Sequence, residues 1–218
     1  MRSWFFDDVA GAAATVSHRA DPIDTTDSLA YTFSAVDLGA DAASHKVVVC
    51  AAGSNGGFAV LSITIGGNAA SLVKAQVANN NTTEIWQANG ITATSGDIIV
   101  TWTGIQDRCG IGVDAVYGAA DAVHDTAGAS NVNPLEDAAG LDIPAGGVAI
   151  AASFNQNTTT STWTNLTETY DEIVEGAFAH SGANGAFATA QTALAVKCQL
   201  AAPGLSLEGF AAASWGPA

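Results

Sequence analysis

Histidines are the side chains best suited to acid–base or metal chemistry near neutral pH, and the chain carries four: His18, His45, His124 and His180. They stand far apart, whereas a zinc site wants His or Cys ligands at short separations. The spacing predicts surface or turn histidines and no metal. The carboxylates recur more closely, because Asp21, Asp24 and Asp27 stand three residues apart and Asp121 and Asp125 occupy a corresponding place about a hundred residues on. Oxygen-rich turns can hold Ca²⁺. These runs lack the bidentate Glu of an EF-hand loop, so solvated turn carboxylates are expected. Glu136-Asp137 and Asp171-Glu172 are adjacent pairs, and a glycosidase needs two carboxylates facing each other across a cleft. No Gly-x-Ser-x-Gly elbow, phosphate loop or dinucleotide fingerprint is present. The expectation is a protein that is not an enzyme, with no catalytic residue and no cofactor.

Aromatic side chains offer binding chemistry instead. Trp86, Trp102, Trp163 and Trp215 all fall in strand-like runs, where core positions are expected. If Trp86 or Trp163 faced outward, its ring could stack on a sugar while Asn81 or Asn157 in the neighbouring Asn-rich runs bound hydroxyls. Trp4, Phe5 and Phe6 form a second cluster near the N-terminus, suited either to capping the protein's own fold or to anchoring a partner. Asn81, Asn157 and Asn165 begin Asn-x-Thr sequons, which matter only in a eukaryotic secretory route. Met1 to Phe6 is followed at once by Asp7-Asp8, which interrupts any signal-like apolar region, so that route is not expected.

Composition narrows the classes further. The 218 residues hold 6 Lys plus Arg against 21 Asp plus Glu, a net charge of −15. The six cations, Arg2, Arg19, Lys46, Lys74, Arg108 and Lys197, are scattered singly. Nucleic-acid backbone binding needs them clustered, so neither DNA nor RNA is an expected partner. No apolar run reaches the roughly 18 residues of a membrane-spanning helix, and a membrane partner is not expected either. Cys50, Cys109 and Cys198 are odd in number and distant, and read as reduced, buried thiols of a protein made in a reducing cytoplasm.

The elements that would position these groups are strands. Ile98, Val100 and Trp102 alternate with Ile99, Thr101 and Thr103, and other strand-like runs cover 30–36, 46–52, 59–66, 71–76, 83–88, 111–117, 147–153, 160–166, 192–200 and 207–215. Gly- and Asn-rich clusters, including Ser181-Gly182-Ala183-Asn184-Gly185, read as turns between them, and Ala10 to Thr15 as a possible turn or two of helix. At an offset of 101, Val47-Val48-Val49-Cys50-Ala51-Ala52 falls on Val148-Ala149-Ile150-Ala151-Ala152-Ser153, and at a slightly smaller one Val113 to Gly118 falls on Ala211 to Gly216. The pattern predicts an all-β, jelly-roll-like antiparallel sandwich of two pseudo-repeats, 24–120 and 121–218, preceded by an arm over 1–23. With 45 alanines among its residues, each half has a thin interior. A single fused sandwich is therefore favoured over two separate ones.

Tyr31-Thr32-Phe33-Ser34, the Val47 to Ala52 strand, Ser62-Ile63-Thr64-Ile65-Gly66-Gly67, Gly96-Asp97-Ile98-Ile99-Val100-Thr101 and the closing Ala213-Ser214-Trp215-Gly216-Pro217 resemble accessory virion proteins of tailed bacteriophages of marine bacteria. The resemblance spans 24–218 and lies in the style of strands and turns. It implies a virion structural protein made in the host cytoplasm, in particular a capsid decoration or cement protein. It would bind the major capsid protein or other virion proteins and itself, as a homotrimer, burying its Ala- and Val-rich faces and its arm. The rival reading is a carbohydrate-binding receptor module of a tail or head fibre.

Overall fold

The computed structural model describes residues 12–42, 44–54, 56–78, 81–132, 140–156, 160–176, 178–200 and 207–218. Among them every regular element is a strand. The first half runs β1 (Thr15–Ala20), β2 (Ile23–Asp24), β3 (Ser28–Asp37), β4 (Lys46–Ser54), β5 (Val60–Ile65), β6 (Asn68–Ala69), β7 (Ser71–Ala78), β8 (Asn81–Asn89), β9 (Ser95–Gln106) and β10 (Arg108–Tyr117). The second runs β11 (Asp125–Val132), β12 (Leu141–Ile143), β13 (Gly147–Asn155), β14 (Ser161–Thr164), β15 (Thr167–Glu175), β16 (Phe178–Phe187), β17 (Gln191–Leu194), β18 (Lys197–Leu200) and β19 (Leu207–Trp215).

Four antiparallel layers are stacked. The first outer sheet is β3-β9-β5-β6, and the first inner sheet is β1-β10-β4-β8-β7, with β2 also on β10. The second inner sheet, β11-β19-β13-β16-β15, has the same strand order as the first, and the second outer layer consists of two short pairs, β12-β17 and β14-β18. Pairing in the first half is nested: β1 with β10, β3 with β9, β4 with β8, β5 with β6.

The sequence explains which layers are inner. β9 alternates, with Ile98, Val100 and Trp102 buried and Ile99 exposed, because one of its faces meets water. β4 and β13 are buried at every position, and their unbroken apolar runs fit strands covered on both faces. Val47, Val49 and Ala51 point into a core shared with β9 and Trp102, while Ala149 and Ala151 point into a second core with Trp163 and Phe210. A third cluster fills the seam between the inner sheets, where Val48, Cys50, Ile85 and Val116 meet Val148, Ile150, Ala152, Ala211, Ala213 and Trp215. Lys46 sits by Trp215 at one end of the seam and Ala52 by Phe154 at the other, so β4 and β13 run the same way across it.

Several expectations are corrected here. The halves do not interleave into one sandwich: among the described residues each strand pairs within its own half, and the isolated bridge Ala119↔Pro217 is what crosses. Within the expected arm over 1–23, Thr15–Ala20 and Ile23–Asp24 hydrogen-bond to β10, and Ala12 to Ala14 are not helical. Ser181 to Gly185 is not a turn but the middle of β16, where glycine is needed because the Tyr170 ring lies 2.2 Å from where a Cβ of Gly182 would stand. The offset of 101 superposes Val47, Val49 and Ala51 on Val148, Ile150 and Ala152, yet the first set faces its own core and the second faces the seam. A slip of one residue exchanges the faces of a strand, and runs of Ala and Val buried on both sides carry no alternation to expose it.

Candidate functional site

The seam brings His18, Asp114, Tyr170, His180 and Asn184 together. On β10, Cys109, Ile111 and Val113 face the first core, so Gly110, Gly112 and Asp114 face the second half. The two glycines leave room for large side chains opposite. A Cβ on Gly112 would stand 2.2 Å from the Tyr170 hydroxyl, and one on Gly110 would stand 3.0 Å from His180 Nδ1. The Tyr170 hydroxyl and His180 Nε2 share a 3.1 Å hydrogen bond, and the His18 ring stacks on Tyr170 with centroids 5.1 Å apart. Asn184 Nδ2 donates to Asp114 Oδ1 at 2.8 Å, His18 Nδ1 lies 3.7 Å from the same oxygen, and His18 Nε2 lies 3.8 Å from Asp21 Oδ2.

Burial pushes the His180 imidazole down to about 3, with His18 adding to the effect, and pushes the Tyr170 phenol well up. The Tyr170–His180 hydrogen bond lies within the second half, and both side chains pack against the glycines of β10 in the first.

A second polar group closes the opposite end of the seam. Gln87 accepts the Trp215 indole N–H at 2.7 Å and donates to the Asp121 carbonyl at 2.8 Å. Lys46 donates to the Ala120 carbonyl and lies 5.9 Å from the Trp215 ring centroid; burial pushes its ammonium down to about 8, against the pull of Asp121. Such groups inside a low-dielectric seam hold one alignment of the two halves, because sliding would leave them unpaired.

The expected site residues are dispersed. Trp86 and Trp163 are 7% and 8% exposed. Trp86 donates to Glu84 Oε2 and Trp163 to Ser181 Oγ, both at 2.8 Å, and Trp163 meets Phe210 edge-on. Both rings are core members held by indole hydrogen bonds, so the outward-facing sugar platform is not formed. Asn81 is buried, while Asn157 and the Trp4-Phe5-Phe6 cluster lie outside the described residues. Asp24 accepts the backbone and hydroxyl hydrogens of Thr26 at 2.9 and 2.7 Å within its own turn. Asp171 accepts the Ser161 amide at 2.6 Å. His124 is exposed, His45 lies between the carbonyls of Ile91 and Leu38, and Tyr170 has His18 stacked on its ring and His180 edge-on to it. The three thiols are buried and not in disulfides, and Cys198 Sγ donates to Ser153 Oγ at 3.1 Å.

Asp114, Tyr170 and Asn184 were missed in the sequence. The available signal was Gly110, Gly112 and Asp114 at alternate positions of an otherwise apolar strand, which reads as a solvent face when it is a face against protein. The Ala- and Val-rich faces are also not free to meet partners, because they fill the seam. Among the described residues the exposed large apolar ones are instead Leu29, Phe58, Leu61, Ile99 and Ile105 on or beside the first outer sheet, Leu72 and Val77 on β7, Ile173 on β15, and Ile23. No family model, curated protein or solved structure matches this chain.

Proposed function

We propose that this chain is a structural protein of a tailed-phage virion, a capsid decoration or cement protein that works through the surfaces it presents, to other virion proteins and to further copies of itself as a homotrimer. In this reading each half is a jelly-roll-like repeat, supported by the nested pairing of the first half and the shared order of the inner sheets. The observation that carries the proposal is where the apolar and polar groups lie. Polar side chains of the seam are spent on joining the halves, while Leu61, Ile105 and Ile173 are more than half exposed on the outer sheet and an edge strand. A rigid multilayered body with aliphatic groups on its exterior suits a part that is held by many modest contacts on a closed shell.

Mass spectrometry of purified particles tests this directly. The expected result is many copies per head, and heads made without the protein that release DNA at a lower temperature. Absence of the chain from purified particles overturns the reading.

A further inference from the structure

We propose that the two halves form a proton-operated hinge: acid charges His180 at the mouth of the seam, and the halves swing apart about residues 118–124 while each keeps its own sheets. Such a joint lies inside one chain, and it operates whether or not the protein is part of a virion.

The two ends of the seam are fastened differently. At the Lys46 end the chain passes from one half to the other, and main-chain hydrogen bonds tie the halves there. Ala14 N–H donates to the Gly146 carbonyl at 2.8 Å, Ala120 N–H to Gly216 at 2.9 Å and Ala218 N–H to Gly118 at 2.8 Å, beside the Ala119↔Pro217 bridge. Towards the other end, among the described residues, no main-chain hydrogen bond crosses. Side chains close that mouth: Ala52 packs on Phe154 and Val174, His180 fills the space over Gly110, Tyr170 the space over Gly112, and Asn184 donates to Asp114. His180 pairs with Phe154, which places the imidazole at the mouth. When the seam parts, each half still has a core of its own, one around Trp102 and one around Trp163 and Phe210.

His180 is 1% exposed in the closed seam, where a charged imidazole is costly and no water can reach it. Opening returns the ring to solvent, where an imidazole binds a proton near pH 6.5. With its closed value pushed down to about 3, the open form binds a proton that the closed form does not between those limits. Each pH unit below about 6.5 then favours opening by up to about tenfold, or about a hundredfold at pH 4.5. The surrounding groups leave this sign intact. Tyr170 and Cys50 are kept neutral by burial. Glu172, opposite His180 on β15, is exposed, so water screens its attraction. Arg108, 4.4 Å from the Phe178 ring centroid, is a further cation on the facing strand and opposes a second one. His18, Asp21 and Asp114 all belong to the first half, so charging His18 strengthens contacts inside that half and adds none across the seam.

The test follows the dilute full-length chain from pH 7 to pH 3 at fixed ionic strength, with small-angle X-ray scattering for its size and far-ultraviolet circular dichroism for its strands. The wild type is expected to expand in a step within that range while the strand signal keeps its neutral value. An anilinonaphthalene sulfonate dye is expected to bind at the same step, on the bared face that includes Val48, Ile85, Ile150 and Trp215. His180→Gln keeps a polar side chain that takes no proton, and its expansion is expected at least about one pH unit lower. His18→Gln removes the neighbouring imidazole and is expected to shift the step the same way by less. Expansion only together with loss of the strand signal, no expansion down to pH 3, or expansion of a folded His180→Gln at the wild-type pH overturns the proposal. Should His180→Gln not fold at pH 7, expansion of His18→Gln at the wild-type pH overturns it instead.

Discussion

The phenol of Tyr170 occupies the space that a side chain on Gly112 would fill: a Cβ there would stand 2.2 Å from the hydroxyl oxygen. One residue belongs to each half, so the fit of one half against the other is written into a missing methyl group.

Gly112→Ala is expected to destabilise the protein by about 1–3 kcal/mol, the usual cost of overpacking a filled interior. Tyr170→Ala alone also destabilises, by leaving a cavity and unpairing His180. In the double variant the alanine methyl enters vacated space, so the two losses sum to more than the combined loss. Urea unfolding of the four proteins measures that coupling.

His180 sets an acid limit. Its folded value of about 3 lies below the ordinary imidazole value near 6.5, so between those limits the unfolded chain binds a proton that the folded chain does not. Its contribution is complete above about pH 6.5 and is lost as pH falls toward 3, by up to about 1.4 kcal/mol per pH unit. Burial raises the Glu84 carboxyl, which works in the opposite sense. The measurement is therefore a comparison of His180→Gln with wild type in urea at pH 7 and pH 4.5, and the variant is expected to lose less stability on acidification.

Lys46 gives the corresponding alkaline signature. Its folded value of about 8 lies below the ordinary lysine value, so the wild type gains stability as pH rises from about 8 toward 10.4. Lys46→Met keeps the buried stem and removes the titration. Melting temperatures at pH 7, 8, 9 and 10 are expected to rise relative to those of the variant.

Strand pairing stays within each half, and Asp121 and Ala122 are exposed. A protease site inserted after Asp121 and then cut should leave two fragments that co-elute in size-exclusion chromatography. Separation into two peaks would show that the seam is too weak to hold the halves without the covalent link.

Strand content was legible because the physics behind it is local. Ile98, Val100 and Trp102 alternate with their neighbours since one face of β9 meets water, and that period survives in the sequence. The layering was not legible, because β4 and β13 are covered on both faces and their Ala and Val runs look alike in either register. Two parts of the seam were hidden for a related reason. Asp114 occupies the alternate positions of its strand, which ordinarily means solvent, and β16 resembles a turn because Gly182 yields its side-chain volume to Tyr170, twelve residues earlier in the chain. The burial of Trp86 and Trp163 was the expected outcome, yet the acceptors that hold them, Glu84 and Ser181, became visible only once the strands were paired.

Among the described residues the two outer layers are built differently, one a continuous sheet of four strands and the other two separate ribbons of two. Although the inner sheets share one strand order, the molecule therefore has a front and a back. Any assembly that recognises the continuous side must lay every copy down the same way up, and the built surface inherits that sidedness.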